Sequence, residues 1–157
     1  MAKKKVFEYL DRNKVKYVLL KHSPASTSQE IAASAHIPGK ELAKTVIIKI
    51  DGRFAMDVLR ASYKISFNEL KEMIGENSVR LAYEQEFLDK FPDCEIGAMP
   101  PFGNLYDMEV FVAESLTDDE EIAFNACNHT ELVKMKYKDF EELVDPKVLK
   151  FSRLSKV

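Results

Sequence analysis

The sequence predicts a mixed α/β (α+β) fold, with a largely antiparallel, barrel-like β-sheet surrounded by short helices. Three observations predict it. Two β-rich runs flank Asp51-Gly52, the pattern of a tight hairpin. Short amphipathic periods that end at Pro or Gly are mixed with many short strands. The steady βαβ alternation of a doubly wound nucleotide fold is absent. No repeat, low-complexity tract or Pro/Gly-rich linker divides the 157 residues, so 1–157 reads as a single domain.

Taken in order, Val6, Phe7 and Leu10 recur at helical spacing and mark a short amphipathic helix. Tyr17 to His22 reads as a strand. Thr27 and Glu30 form a capping-box pattern for a helix running to about Ala35, which stops before Ile37-Pro38-Gly39. Thr45–Ile50 and Arg53–Leu59 are the hairpin strands, and Gly52 accepts the positive φ that a type I′ turn demands. Ser66 and Glu69 repeat the capping-box pattern before a helix that Gly75 ends. Val79–Ala82 is a short strand, and Glu84–Phe91 a helix halted by Pro92. The stretch from Glu95 to Leu116 reads as strand, rigid loop and strand. Further strands fall at Ile122–Phe124 and Leu132–Met135, and a last helix at Asp139–Val144.

Composition removes several classes of protein. Apolar residues make up 46% and charged residues 31%, as in ordinary globular domains. No run approaches the roughly 20 apolar residues of a membrane span, and the basic start lacks the apolar stretch of a signal peptide. A cytoplasmic protein with no membrane association is expected. Cys94 and Cys127, outside any CxxC or Cys/His cluster, are expected to be free buried thiols, and no metal is implied. The net charge of −3 argues against a general nucleic-acid coat, yet residues 1–64 hold 13 Lys/Arg against 6 Asp/Glu. That basic half suits a phosphate backbone or simply solvates a terminal helix.

Two features carry candidate chemistry. Lys44 opens a strand on which it shares a face with Val46 and Ile48, so it projects toward the apolar side. It either snorkels out to water or enters a cleft to bind a phosphate or carbonyl oxygen. Gly97-Ala98-Met99-Pro100-Pro101-Phe102-Gly103 is a stiff loop that can present backbone dipoles in fixed directions, or a plain tight turn. His129 is a candidate hydrogen-bonding or acid–base group. Cys127 and His129, two apart on a presumed strand, would lie about 6.6 Å apart, too far for a nucleophile–base pair. GxSxG, HExxH, P-loop and GxGxxG signatures are missing.

The segments His22–Thr27, Gln29–Ala32, Leu42–Leu59, Gly97–Gly103 and Phe124–Met135 together resemble the YbaK family, which includes editing domains associated with prolyl-tRNA synthetases. Each segment is weakly specific; five in register are strongly so. The resemblance implies hydrolysis of the ester that joins an amino acid to the 3′-terminal adenosine of a mischarged tRNA, without a cofactor. Alanine or cysteine on tRNA for proline are the leading substrates, and a synthetase is a further candidate partner. Lys44 matches the family's essential lysine, Gly97 to Pro101 its GxxxP loop, and His129 a position where a histidine often lies near the pocket. His22, Thr27, Thr45, Ala98, Met99, Pro100, Phe102 and Gly103 are the expected substrate-binding positions. The chain departs from the family at Ala113, where an Asp is common, and at Ala126-Cys127-Asn128, where a Gly usually precedes the His. A non-catalytic tRNA- or nucleotide-binding module of the same fold is the alternative.

Overall fold

The computed structural model describes residues 5–22, 30 and 41–154. The first helix, α1 (Lys5–Arg12), buries Val6 and Leu10, the one-sided pattern read from the sequence. Strand β1 (Tyr17–Lys21) pairs antiparallel with a late strand, β8 (Glu131–Lys136), which pairs in turn with β7 (Glu121–Asn125). The helix expected from Thr27 to Ala35 lies outside the described residues, apart from Glu30.

The hairpin forms as expected. Strands β2 (Ala43–Ile50) and β3 (Arg53–Arg60) pair antiparallel over their whole length. Both turn residues adopt positive φ, +46° at Asp51 and +89° at Gly52, as a type I′ turn requires. Strand β4 (Tyr63–Ile65) follows, then α2 (Phe67–Ile74) and β5 (Val79–Leu81). Gly75 ends α2 in the left-handed conformation at φ +78°. The capping box expected at its start does not form. Arg153 hydrogen-bonds the Glu69 carboxylate, and Ser66 instead donates its backbone N–H to the Phe151 carbonyl at 2.7 Å.

The next helix is shorter than expected. α3 (Glu84–Phe87) gives way to a 3₁₀ turn at Leu88–Lys90 ahead of Pro92. Its start is secured by Glu86, which accepts the Tyr83 backbone N–H at 2.9 Å while Arg80 and Lys49 grip the same carboxylate. The strand expected just before the Gly-Pro loop is absent. A 3₁₀ turn at Gly103–Leu105 leads instead to β6 (Glu109–Ala113). α4 (Tyr137–Val144) ends at Asp145, and two short strands not anticipated from sequence follow, β9 (Lys147–Leu149) and β10 (Ser152–Leu154).

Among the described residues the strands form three sheets. Their orders are β5-β2-β3-β6-β9, β1-β8-β7, and the ribbon β10-β4. The pairs β3–β6 and β6–β9 are parallel and the rest antiparallel. The mixed, largely antiparallel reading holds; among the described residues the sheets are not closed, so the barrel-like expectation is not confirmed. Among the described residues a single parallel bridge, Leu42 to Ala123, joins the two larger sheets. Closing a barrel needs a continuous ladder around the circumference, and one bridge does not supply it.

Side-chain alternation along β2 and β3 separates two cores. Ala43, Ile47, Met56 and Val58 face the main core between the two larger sheets, with Phe102, Phe124 and Phe140. Val46, Ile48, Ala55 and Leu59 face a second core closed by Leu70, Phe111 and Phe151. No described helix is long and apolar enough to cross a membrane.

Candidate functional site

Lys44 points out of β2 on the face that it shares with Val46 and Ile48, as alternation requires. It is half-buried, and burial lowers its pKa below the ordinary lysine value. Its strand enters the sheet from the Leu42–Ala123 bridge, so this end of β2 runs beside β7, toward the turn that follows Asn125.

That turn, residues 126–130, carries His129. The Cys127 carbonyl accepts the Glu95 backbone N–H at 2.8 Å, and the Cys127 N–H donates to the Ala98 carbonyl at 2.9 Å. These two bonds dock the Gly97 segment on the end of the three-stranded sheet. His129 then reaches back: its Nε2 lies 2.7 Å from the Ile96 carbonyl. A carbonyl only accepts, so Nε2 carries the proton, and in that tautomer Nδ1 is an acceptor. Glu95 accepts the His129 backbone N–H at 3.1 Å and fixes the same turn. Gly97 has φ +86°, and a Cβ built there would sit 3.4 Å from His129 Cε1. A glycine therefore serves both the backbone conformation and the approach of the imidazole.

The loop's own hydrogen bonds decide what it can offer a ligand. The Gly97 N–H donates to Met99 Sδ at 3.3 Å, the Ala98 N–H to the Glu95 carbonyl at 3.1 Å, and the Ala98 carbonyl is taken by Cys127. The prolines Pro100 and Pro101 have no N–H to give. Among the described residues no hydrogen bond engages the Gly97 and Met99 carbonyls or the Met99 N–H, so the loop keeps two acceptors, which suit an ammonium group, and one donor.

A protein-family model for the aminoacyl-tRNA editing domain matches residues 22–143. The chain belongs to that family. The prolyl-tRNA editing protein ProX of Acetoanaerobium sticklandii is 28% identical over 149 residues, covering 91% of this chain and 90% of that protein. Proline–tRNA ligase of Staphylococcus saprophyticus is 32% identical over 87 residues, 55% of this chain and 14% of the ligase. The chain thus spans a small part of the ligases it matches. Among solved structures, a candidate trans-editing enzyme for prolyl tRNA synthetase superposes with a TM-score of 0.81 at 16% identity, over 94% of each chain. A crystallised hypothetical protein gives 0.83 at 22% identity, over 95% of this chain and 99% of that one. At such identities these two likenesses establish the fold alone.

The expected site residues of this editing domain separate into groups. Gly97, Ala98 and His129 come together, and His22 joins their neighbourhood by donating its backbone N–H to the Thr130 carbonyl at 2.8 Å. No hydrogen bond links Lys44 to the Gly97 turn among the described residues. Thr45 faces the opposite side of β2 from Lys44, and Thr27 lies outside the described residues. Pro100 and Pro101 are buried. Three positions expected to bind substrate belong to the core instead. Met99 and Phe102 are 5% and 0% exposed, and the Phe102 ring packs edge-on to Phe124 and Phe140 at 5.6 and 5.5 Å. A Cβ at Gly103 would meet the Met108 carbonyl oxygen at 2.4 Å, so that glycine is a packing requirement.

Two cysteine expectations also change. Cys94 and Cys127 are joined as a disulfide at the root of the Gly97 and His129 segments, and are not free thiols. Cys127 and His129 lie on a turn, with Cys127 at φ +71°, and not on a strand. The sequence reading also missed Asp57, which is fully buried on the face of β3 that corresponds to the Lys44 face of β2. A lone Asp within the apolar run Ala55–Leu59 was the available signal.

Proposed function

We propose that this chain is a trans-acting aminoacyl-tRNA deacylase, which hydrolyses the ester of mischarged tRNA with alanine or cysteine on tRNA for proline as the leading substrates. The observation that carries the reading is the Gly97 turn, with the His129 ring set against it, in a chain of the editing-domain family. The name of the ProX relative supports the same reading.

The proposed chemistry uses few parts. An aminoacyl ester is already labile, so positioning water and stabilising the developing oxyanion suffice without a covalent nucleophile. Carbonyls of the 97–101 loop accept hydrogen bonds from the substrate's α-ammonium. The Lys44 ammonium holds the terminal phosphate or the ester carbonyl oxygen. His129, with Nε2–H fixed on the Ile96 carbonyl, offers Nδ1 to a water or to the ribose hydroxyl. A small pocket separates amino acids by size but discriminates one methylene only weakly. Cysteine and alanine therefore form one substrate class.

Incubating a panel of mischarged tRNAs with catalytic amounts of protein tests the proposal. Many ester bonds cleaved per protein molecule, fastest for Ala- or Cys-tRNA for proline, is the expected result. Stoichiometric protection of the ester would instead identify a binding module of the same fold.

A further inference from the structure

Among the described residues two acids are buried, Asp119, which Arg60 holds at 3.3 Å, and Asp57, which the proposed chemistry leaves idle. It lies at the centre of β3, wholly buried, and neither carboxylate oxygen has a hydrogen-bond partner among the described residues. Burying an acid without a partner destabilises a fold, whereas an apolar residue would pack there freely. Its neighbours show why the place matters. Asp57 is opposite Val46 on β2 and Phe111 on β6, and Lys44 is opposite Leu59. Asp57 and Lys44 are therefore diagonal neighbours on one face of the sheet. Such pairs lie about 7–8 Å apart at Cα, within reach of a long side chain. We infer that Asp57 is a positioning residue, the acidic neighbour that holds and orients the Lys44 ammonium within the site.

Other charged groups near this face already have partners. Arg60 donates to the Ser115 carbonyl at 2.7 Å and to Asp119 at 3.3 Å, and lies 3.5 Å from the Tyr63 hydroxyl. Arg53 lies 3.5 Å from Glu76, and Glu109 lies 3.4 Å from Lys147. α2 and the β4–β10 ribbon add apolar side chains to this face, namely Phe67, Leu70, Ile74, Tyr63 and Ile65. Lys44 is the cation on this face that no described acid holds. Burial raises the Asp57 pKa well above the carboxylate range and lowers that of Lys44, so each group by itself is held toward its neutral form. An ammonium has three donors, so it can keep one on Asp57 and turn the others to a phosphate or carbonyl oxygen.

The inference rests on the reading that Lys44 contacts substrate, and the experiment separates the two. Deacylation by wild type, Asp57→Asn, Asp57→Val and Lys44→Ala is followed from pH 6 to 10. Both Asp57 variants are expected to lose kcat by about tenfold or more with little change in KM. Their alkaline limb should move to lower pH, because Lys44 loses the carboxylate that keeps it charged. They should also melt at higher temperature, which a merely structural role cannot combine with lost activity. Wild-type kcat and pH profile in both variants, while Lys44→Ala is inactive, overturns this inference and leaves the site reading intact. An active Lys44→Ala overturns both. If neither Asp57 variant folds, side-chain NMR of wild type decides: coupled titration of the Asp57 carboxyl and Lys44 ε signals supports the pair, and independent titration refutes it.

Discussion

His129 donates from Nε2 to the Ile96 carbonyl at 2.7 Å, and that bond fixes the imidazole beside Gly97. The donor assignment follows from the chemistry of a carbonyl, and in that tautomer Nδ1 is an acceptor, the nitrogen that the proposed chemistry uses. His129→Ala removes both that nitrogen and the prop behind the turn. General acid–base groups typically contribute 10²–10⁴-fold, so deacylation by this variant should fall by about 10²-fold. Its side chain is 44% exposed, so the melting temperature should barely move. Steady-state kinetics on mischarged tRNA beside a thermal melt checks both halves.

The glycines give a graded test of packing. Gly52→Ala meets nothing within 4 Å and bears only the cost of positive φ, about 1 kcal/mol. Gly97→Ala adds a 3.4 Å contact with His129 to a similar φ, so activity should fall more than stability does. Gly103→Ala drives a methyl to 2.4 Å from the Met108 carbonyl oxygen and 2.6 Å from Val110 Cγ2. Overpacking of this kind costs about 1–3 kcal/mol, and backbone on one side argues for the upper end. Chemical denaturation of the three variants should rank them Gly52→Ala, Gly97→Ala, Gly103→Ala in increasing loss.

Stability should depend on pH through Asp57. Its folded pKa is raised, so the folded state holds a proton that the unfolded chain releases near the ordinary value of 3.8. That contribution is fully present below pH 3.8 and is lost as pH rises toward the folded pKa. Asp57→Asn stays neutral throughout and loses nothing over the same window. The melting temperature of the variant should therefore gain on wild type steadily above about pH 4. A constant difference across pH would show that the acid does not titrate in this environment.

Much of the fold could be read from local chemistry. Asp51-Gly52 specified the hairpin because only a few residues tolerate two successive positive φ values. Val6 and Leu10 specified α1 through their spacing. The errors came where distant residues intervene. Ser66 and Glu69 look like a capping box until Arg153, some eighty residues on, hydrogen-bonds the carboxylate. Sheet closure could not be read because it depends on how β2 meets β7, a single bridge between segments remote in sequence. The short strands β9 and β10 carry no alternation strong enough to announce them.

The site divides along the same line. Lys44 stood out because a charge sat on an apolar strand face. Gly97 stood out because two prolines stiffen the loop beside it. The sequence could not separate Ala98, whose backbone docks the loop, from Met99 and Phe102, whose side chains fill the core. That distinction depends on which way each side chain turns from one irregular segment. The cysteine pairing was hidden for the same reason, since residues 33 apart meet only when the Gly97 and His129 segments dock.

The most direct test of the central claim is the rate of ester hydrolysis by Lys44→Ala on the preferred mischarged tRNA, measured beside wild type at equal folded concentration. Lys44 is half-buried, and burial already disfavours its charge, so the variant should fold and melt close to wild type. A loss of activity of about 10²-fold or more with that fold intact is the expected result. Hydrolysis at the wild-type rate by a folded Lys44→Ala protein would contradict it.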